Sequence, residues 1–233
     1  MLLNRPKNID VTRMAQTVAE EYINANYSIK GNLTYETVNG VCIVNCDGDV
    51  AVKNTEIEKL TEGFVWGEVG CGFYCPSCKN LRTLEGAPKK VAREFSCRNC
   101  DNLKSLKGTP EYVGGFFSCA SCEGLESLEG APKKVGGEFY CFGCTNLKSL
   151  KWSPQDVRDF NCGHCHNLKS LEGAPKIVVA SFFCSNCDNL KSLKGAPEKV
   201  GKDFYCHDCK NLKSLDGAPK KVGGKLICDK HLK

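Results

Sequence analysis

The chain has 233 residues, with 32 Lys and Arg against 27 Asp and Glu, a net charge of +5, 41% hydrophobic residues and 18 cysteines. So mild a charge argues against the dense basic stripe of a nucleic-acid binder, and no segment is apolar over the length of a membrane span. Met1 to Asp10 carries no apolar run long enough for a signal peptide, which points to a reducing, cytoplasmic setting with thiols or metal thiolates in place of a disulfide framework.

Val11, Met14, Ala15, Val18, Tyr22 and Ile23 recur at helical spacing, so the first predicted element is an amphipathic helix from Asp10 to Asn24, with Asp10 as its N-cap. Alternating stretches follow at Leu33 to Val38, Val41 to Val44 and Val50 to Val52. Asn39-Gly40 and Asp47-Gly48 separate them as predicted hairpin turns. Val50-Ala51-Val52, Ile57, Leu60 and Val69 imitate what comes after them, but without its cysteines. Residues 50–72 therefore read as a capping repeat, with 1–49 as a helix-and-hairpin cap and 50–233 as a repeat array of about eight turns.

The array is a phrase of the form N-L-K-S-L-x-G-A-P-x-x-V-x-x-x-F-x-C-x-x-C. Successive phrases begin 22 residues apart, except for one interval of 21 between Cys141 and Cys162, where Lys151-Trp152-Ser153-Pro154 replaces the usual Lys-Gly-Ala-Pro. A fixed period of this length marks a stacked solenoid, in which each unit buries its apolar face only against its neighbours. Within the phrase, F-x-C predicts a short strand whose Phe and first Cys point inward while the residue between them points out. These strands, at Phe73, Phe95, Phe117, Phe139, Phe160, Phe182, Phe204 and Leu226, are expected to stack in parallel at about 4.8 Å, for a length of about 40 Å. The two leucines complete the core, and G-A-P makes the far turn. The short repeat is expected to depart from regular stacking, with Trp152 marking a local bend or a docking point.

Charge alternation is consistent with such stacking. The residue after the second leucine reads Glu85, Lys107, Glu129, Lys151, Glu172, Lys194, Asp216. The residue after the proline runs in opposite phase: Lys89, Glu111, Lys133, Gln155, Lys176, Glu198, Lys220. Stacking places opposite charges side by side in both columns except at Gln155, which disfavours like-charge registers; duplication of a 44-residue unit would leave the same alternation, and both accounts require a repeat array.

The repeated L-x-S-L-x-G-A-P-x-x-V-G-G-x-F-x-C units, as in Leu125 to Cys141 and Leu212 to Cys228, resemble a leucine-rich repeat protein of bacterial or bacteriophage type. The phrase Asp47 to Val52 is similar to the segment that precedes such arrays. The resemblance implies a right-handed solenoid poor in helices, with parallel short strands on a concave face. It also implies that the second cysteine of each pair replaces a buried ladder asparagine, and that the protein is a binding scaffold without chemistry of its own.

Three functions follow as expectations. The first is protein binding on the strand face, through Tyr74, Phe116, Tyr140, Phe142, Phe183 and Tyr205 with Glu138, Asp159 and Asp203, because exposed aromatics on strands are enriched at contact surfaces. The second is a zinc or iron–sulfur protein, in which pairs from adjacent repeats present four ligands to a metal. Its residues are Cys75, Cys78, Cys97, Cys100, Cys119, Cys122, Cys141, Cys144, Cys162, Cys165, Cys184, Cys187, Cys206, Cys209, Cys228 and His231. The third is nucleic-acid binding through lysine-rich turns such as Lys89-Lys90 and Lys220-Lys221, which the interleaved glutamates oppose. No recurring catalytic set suggests an enzyme, and no cofactor is expected on the first reading. Cys42, Cys46 and Cys71 read as packing residues of the cap, and His164, His166 and His207 as loop or surface residues.

Overall fold

A computed structural model describes residues 11–232. The predicted N-cap, Asp10, lies outside the described residues. The helix α1 spans Val11–Asn26 and buries Ala19 and Ile23, while Tyr22 packs on Phe64 with ring centroids 5.9 Å apart. Five strands follow: β1 (Tyr27–Lys30), β2 (Leu33–Val38), β3 (Val41–Cys46), β4 (Asp49–Val52) and β5 (Phe64–Val69).

Asn39-Gly40 closes an antiparallel β2–β3 hairpin, and both residues have positive φ (51° and 79°), as a tight turn of this twist requires. Asp47-Gly48 does not close a second one. It forms a corner that carries the chain from one sheet to the other: β3 pairs in parallel with β5, whereas β4 pairs antiparallel with β1. The corner is held by the Asp47 carboxylate, which accepts the Asn32 backbone amide at 2.6 Å and its side-chain amide at 2.8 Å. These donors pull the Asp47 carboxyl below its ordinary range. Dipeptide chemistry predicts a turn at both sites, but the partner of the next strand decides which turn becomes a hairpin.

From Phe73 onward, each turn gives one two-residue strand to each of two stacks. The first is a ten-stranded sheet that begins with β1 and β4 and continues through Phe73–Tyr74 and Phe95–Ser96 to Leu226–Ile227, with every F-x-C strand parallel to the one before it. This is the predicted repeat solenoid, closed at its N-terminal end by α1 and the antiparallel β1. The second stack lies on the x-x-V positions, at pairs such as Lys90–Val91 and Tyr112–Val113, where G-A-P led only to the expectation of a turn. Val91, Val113, Val135, Val157, Val178 and Val200 are buried there, while the residue before each is exposed. A two-residue strand is too short to show a period, so only the position of its valine marks it.

The core is a set of columns. Phe73, Phe95, Phe117, Phe139, Phe160, Phe182 and Phe204 are fully buried, with neighbouring rings stacked at 5.2 to 5.6 Å and within 5° to 16° of parallel. Each offset stack contributes about 0.5 to 1.5 kcal/mol beyond its area of burial. The leucine columns, such as Leu103 with Leu106 and Leu147 with Leu150, are buried beside them. The serine of L-x-S-L caps its own turn, since Ser127 Oγ accepts the Glu129 amide at 3.0 Å and Ser149 Oγ the Lys151 amide at 3.0 Å. The glycine of L-x-G-A-P is required twice over. At Gly130 φ is +89°, and an added Cβ would lie 2.5 Å from the Lys107 amide nitrogen of the previous turn.

The short repeat departs from this pattern on one side only. The missing residue lies between Val157 and Phe160, where Arg158-Asp159 stands for a usual run of three. In regular turns, the residue after the valine donates to the previous valine's carbonyl, as in Gly136 to Val113 at 2.9 Å and Gly114 to Val91 at 3.0 Å. Arg158 instead donates to Gly137 at 2.8 Å. The second stack accordingly splits into a six-stranded and a four-stranded sheet between Lys134–Val135 and Asp156–Val157. Across the same junction the first sheet continues unbroken, with Phe139 paired to Phe160.

Trp152 adds to the split. It occupies the glycine position with φ of 76°, and the residue is 56% exposed. A Cβ in the regular place would strike the previous turn's backbone, so this turn is displaced. Regular turns carry the bonds Leu106 to Glu129 at 2.8 Å and Leu171 to Lys194 at 2.9 Å, but among the described residues no equivalent bond forms at Leu128 or Leu150.

Both charge columns show ion pairs between neighbouring turns. Lys107 meets Glu129 at 3.1 Å and Lys194 meets Glu172 at 3.0 Å in the first, and Lys133 meets Glu111 at 2.9 Å in the second. All are solvent-exposed, so each contributes about 0 to 1 kcal/mol and acts mainly on register.

Candidate functional site

The cysteines form two buried columns behind the first sheet. In each pair the first cysteine directly follows the strand, and the residue before the second cysteine has positive φ: Ser77, Asn99, Ser121, Gly143, His164, Asn186 and Asp208, with values from 55° to 71°. Asn, Asp, Ser and Gly tolerate this left-handed conformation, which explains why no β-branched residue stands there. The reversal turns the second thiol back toward the preceding repeat. Cys100 Sγ donates to the Cys75 carbonyl at 3.1 Å, Cys122 to Cys97 at 3.1 Å, Cys144 to Cys119 at 3.2 Å, Cys165 to Cys141 at 3.2 Å, Cys187 to Cys162 at 3.2 Å and Cys209 to Cys184 at 3.2 Å. The result is a ladder of thiol-to-carbonyl bonds, one per turn, running the length of the array. Each is weak, but each also satisfies a buried carbonyl that lies inside the turn.

Burial pushes the Cys75, Cys119, Cys141, Cys162 and Cys184 thiols well above the ordinary value, and Cys206 and Cys209, nearer the C-terminal end, up to about 12 and about 11. The cause is desolvation, which disfavours the thiolate. Cys228 is half-buried, and His231 is exposed on a short 3-10 turn, Lys230–Leu232. Among the described residues, no group of three or more His, Cys, Asp or Glu side chains is disposed to hold a metal ion. Cys42 and Cys46 are buried in the cap, and half-buried Cys71 lies 3.9 Å from the Asp47 carbonyl.

The outward face of the first sheet carries the predicted contact residues in three adjacent columns. Strand pairing aligns Tyr74, Ser96, Ser118, Tyr140, Asn161, Phe183 and Tyr205 in the central one. On one side, the residues before the phenylalanines place Glu94, Phe116, Glu138 and Asp159 in successive turns, each linked through its carbonyl to the phenylalanine amide of the turn before. On the other side stand Phe142 and His207.

The aromatics gather in two clusters. Tyr140 lies 6.2 Å from Phe116 and 6.5 Å from Phe142, tilted by 50° and 74°, and Phe183 stacks on Tyr205 at 4.6 Å and 11°. Tyr74 stands apart from both and donates its hydroxyl to Glu94.

The acidic residues do not act alike. Asp203 accepts the Lys225 amide at 2.7 Å and Asp159 the Ser181 amide at 2.9 Å, so both brace the backbone of the next turn. Glu138 has no such bond. Among the described residues, its one ion-pair partner is Arg158, at 4.0 Å.

Histidines at the turn edge pair locally, His166 with Asp188 at 3.4 Å and His207 with Asp208 at 2.6 Å. An exposed asparagine column runs beside them: Asn146 Nδ2 donates to the Glu123 carbonyl at 2.9 Å, and Asn167 to Asn146 at 3.1 Å. Its only trace in the sequence is the recurring asparagine before the first leucine.

No protein-family model, curated protein or solved structure matches the chain. The architecture defines a repeat solenoid of about eight parallel stacked turns with a helical N-terminal cap, rich in buried cysteine. No helix among the described residues is long and apolar enough to cross a membrane.

Proposed function

We propose that the protein is a non-enzymatic interaction module that binds a protein partner on the outward face of the ten-stranded sheet, the face that the leucine-rich repeat resemblance makes concave. The observation that carries this reading is the placement of Phe116, Tyr140, Phe142, Phe183 and Tyr205. Five rings stand on the solvent side of short parallel strands, two turns clustered around Tyr140 and two around Tyr205, although the core already holds its own complete phenylalanine column. These rings lie outside the core and stay partly open to solvent. They offer rigid contact area at low entropic cost.

The thiol ladder favours a structural role for the cysteines in this reading. The second thiol of each pair from Cys97/Cys100 to Cys206/Cys209 is engaged with a carbonyl of the preceding turn, and burial favours the protonated form of Cys75, Cys119, Cys141, Cys162, Cys184 and Cys206. A Tyr140→Ser/Phe183→Ser variant tests the function. Capture from the native host with the wild-type protein as bait should recover a partner that the double variant loses, while the thermal melts of the two proteins agree. Equal recovery by both would sink the assignment.

A further inference from the structure

The cluster around Tyr140 has the makings of a cation site, and the inference drawn from it rests on the partner-binding reading above. Phe116, Tyr140 and Phe142 come from three columns and two turns, and the Tyr140 ring is steeply tilted to each of the other two, so that it stacks on neither. Phe142 is 38% exposed, and the other two are half-buried. Phe116 stands in its column between Glu94 and Glu138, one strand spacing from each. Asp159 follows in the next turn. Glu94 already accepts the Tyr74 hydroxyl and Asp159 the Ser181 amide, so Glu138 is the carboxylate left beside the rings.

Two further observations give the site its sign. The Tyr140 hydroxyl is held above its ordinary range, first by burial and then by the negative charge of Glu138 and Asp159, which outweighs the opposing charge of Arg158. The chain's own Arg158 also leans toward these two carboxylates, with its guanidinium 4.0 Å from Glu138 and 3.8 Å from Asp159 while 61% exposed. Close guanidinium–carboxylate hydrogen bonds are about 2.7 to 2.9 Å long, so Arg158 marks the attraction without saturating it. Among the described residues, Glu138, at 27% side-chain exposure, has no other ion-pair partner.

We infer that Phe116, Tyr140, Phe142 and Glu138 form an aromatic cage for a cationic side chain, and that the partner on this face presents an exposed arginine-bearing segment to it. Arginine fits better than a compact ammonium. Its planar group can lie against one ring while its edge reaches Glu138, and it sheds water more easily than lysine does.

The test uses the full chain and a short acetylated and amidated Gly-Ser peptide with one arginine, set against the same peptide with citrulline, which keeps the plane and loses the charge. Binding is followed by aromatic carbon–proton NMR. The arginine peptide should shift the Tyr140, Phe116 and Phe142 signals saturably and leave Tyr112, on the other stack, unmoved. Citrulline should bind at least about tenfold more weakly, and Phe142→Leu and Glu138→Gln should each weaken the arginine peptide by about three- to tenfold with unchanged melts. Three results would overturn the inference: no saturable shift of these rings, equal binding of the citrulline peptide, or indifference to Phe142→Leu. A stronger response to tetramethylammonium chloride than to the peptide would also overturn it, by assigning the cage to a quaternary ammonium ligand. None of these results bears on the partner reading itself, which stands or falls with the Tyr140→Ser/Phe183→Ser capture.

Discussion

The two sides of the solenoid meet the same irregular repeat with opposite outcomes. On the F-x-C side, ten strands, the phenylalanine column and the thiol ladder pass through the junction at Phe139 and Phe160 without a gap. On the x-x-V side, one missing residue and one tryptophan in a glycine position divide the sheet and remove two backbone bonds. The difference lies in redundancy. The first side joins turns through ring stacking, backbone pairing and a thiol bond at every step. The second joins them through backbone bonds, a column of single valines and exposed ion pairs, without the ring stack or the thiol bond that hold register on the first side. In a solenoid each interface stands largely alone, so damage stays local on the weak side while the strong side keeps the array continuous.

The most severe way to break this contrast is Phe139→Ala. It opens the ring column where the other side is already split, and it should cost about 3 to 5 kcal/mol by urea denaturation, with unfolding that separates into two steps. A loss similar to that of an exposed residue would mean that the column is not what carries the junction.

The thiols give a second handle on the strong side. Their folded-state values lie above the ordinary 9.0, at about 11 for Cys209 and about 12 for Cys206, so the unfolded chain loses these protons first as pH rises. Their contribution is therefore complete below about pH 9 and declines from there toward pH 12. Urea midpoints at pH 8 and pH 11 should differ more in the wild type than in a Cys206→Ala/Cys209→Ala variant.

On the weak side, the amides of Leu128 and Leu150 should exchange with solvent at least about tenfold faster than those of Leu106 and Leu171, a difference of about 1.4 kcal/mol in protection. Matching rates would restore the second side to regularity. Trp152→Gly should raise stability by about 1 kcal/mol, because the glycine adopts the positive φ without strain. A drop in the melt would show that Trp152 packs usefully where it is. The smallest effect belongs to the charge columns: Lys133→Ala should change stability by less than about 0.5 kcal/mol, and a larger change would promote the exposed pairs from register control to real stabilisation.

Repetition made much of this molecule readable. Phe95, Cys97 and Cys100 recur with Leu103 and Leu106 at fixed offsets, and a side chain that recurs in every turn of a stack has an equivalent neighbour on either side, so its burial follows from its phase. Asn39-Gly40 was legible because its turn is a local matter. Asp47-Gly48 was not, because the choice between hairpin and corner depends on β1, which arrives from elsewhere to take the β4 edge. The contact face was legible as a column of outward rings. The unequal roles of Glu138, Asp159 and Asp203 on it were not, since these turn on which backbone amide lies within reach in the next repeat.

The chain's own sequence therefore determined the period, the inward columns and the register, because stacking multiplies any preference at one position by the number of turns. The tertiary structure alone decided which way each thiol points, where the second stack splits and which rings meet at Tyr140. Those outcomes depend on left-handed turns, on one displaced loop and on distances between turns, and they exist only once neighbouring repeats are in contact.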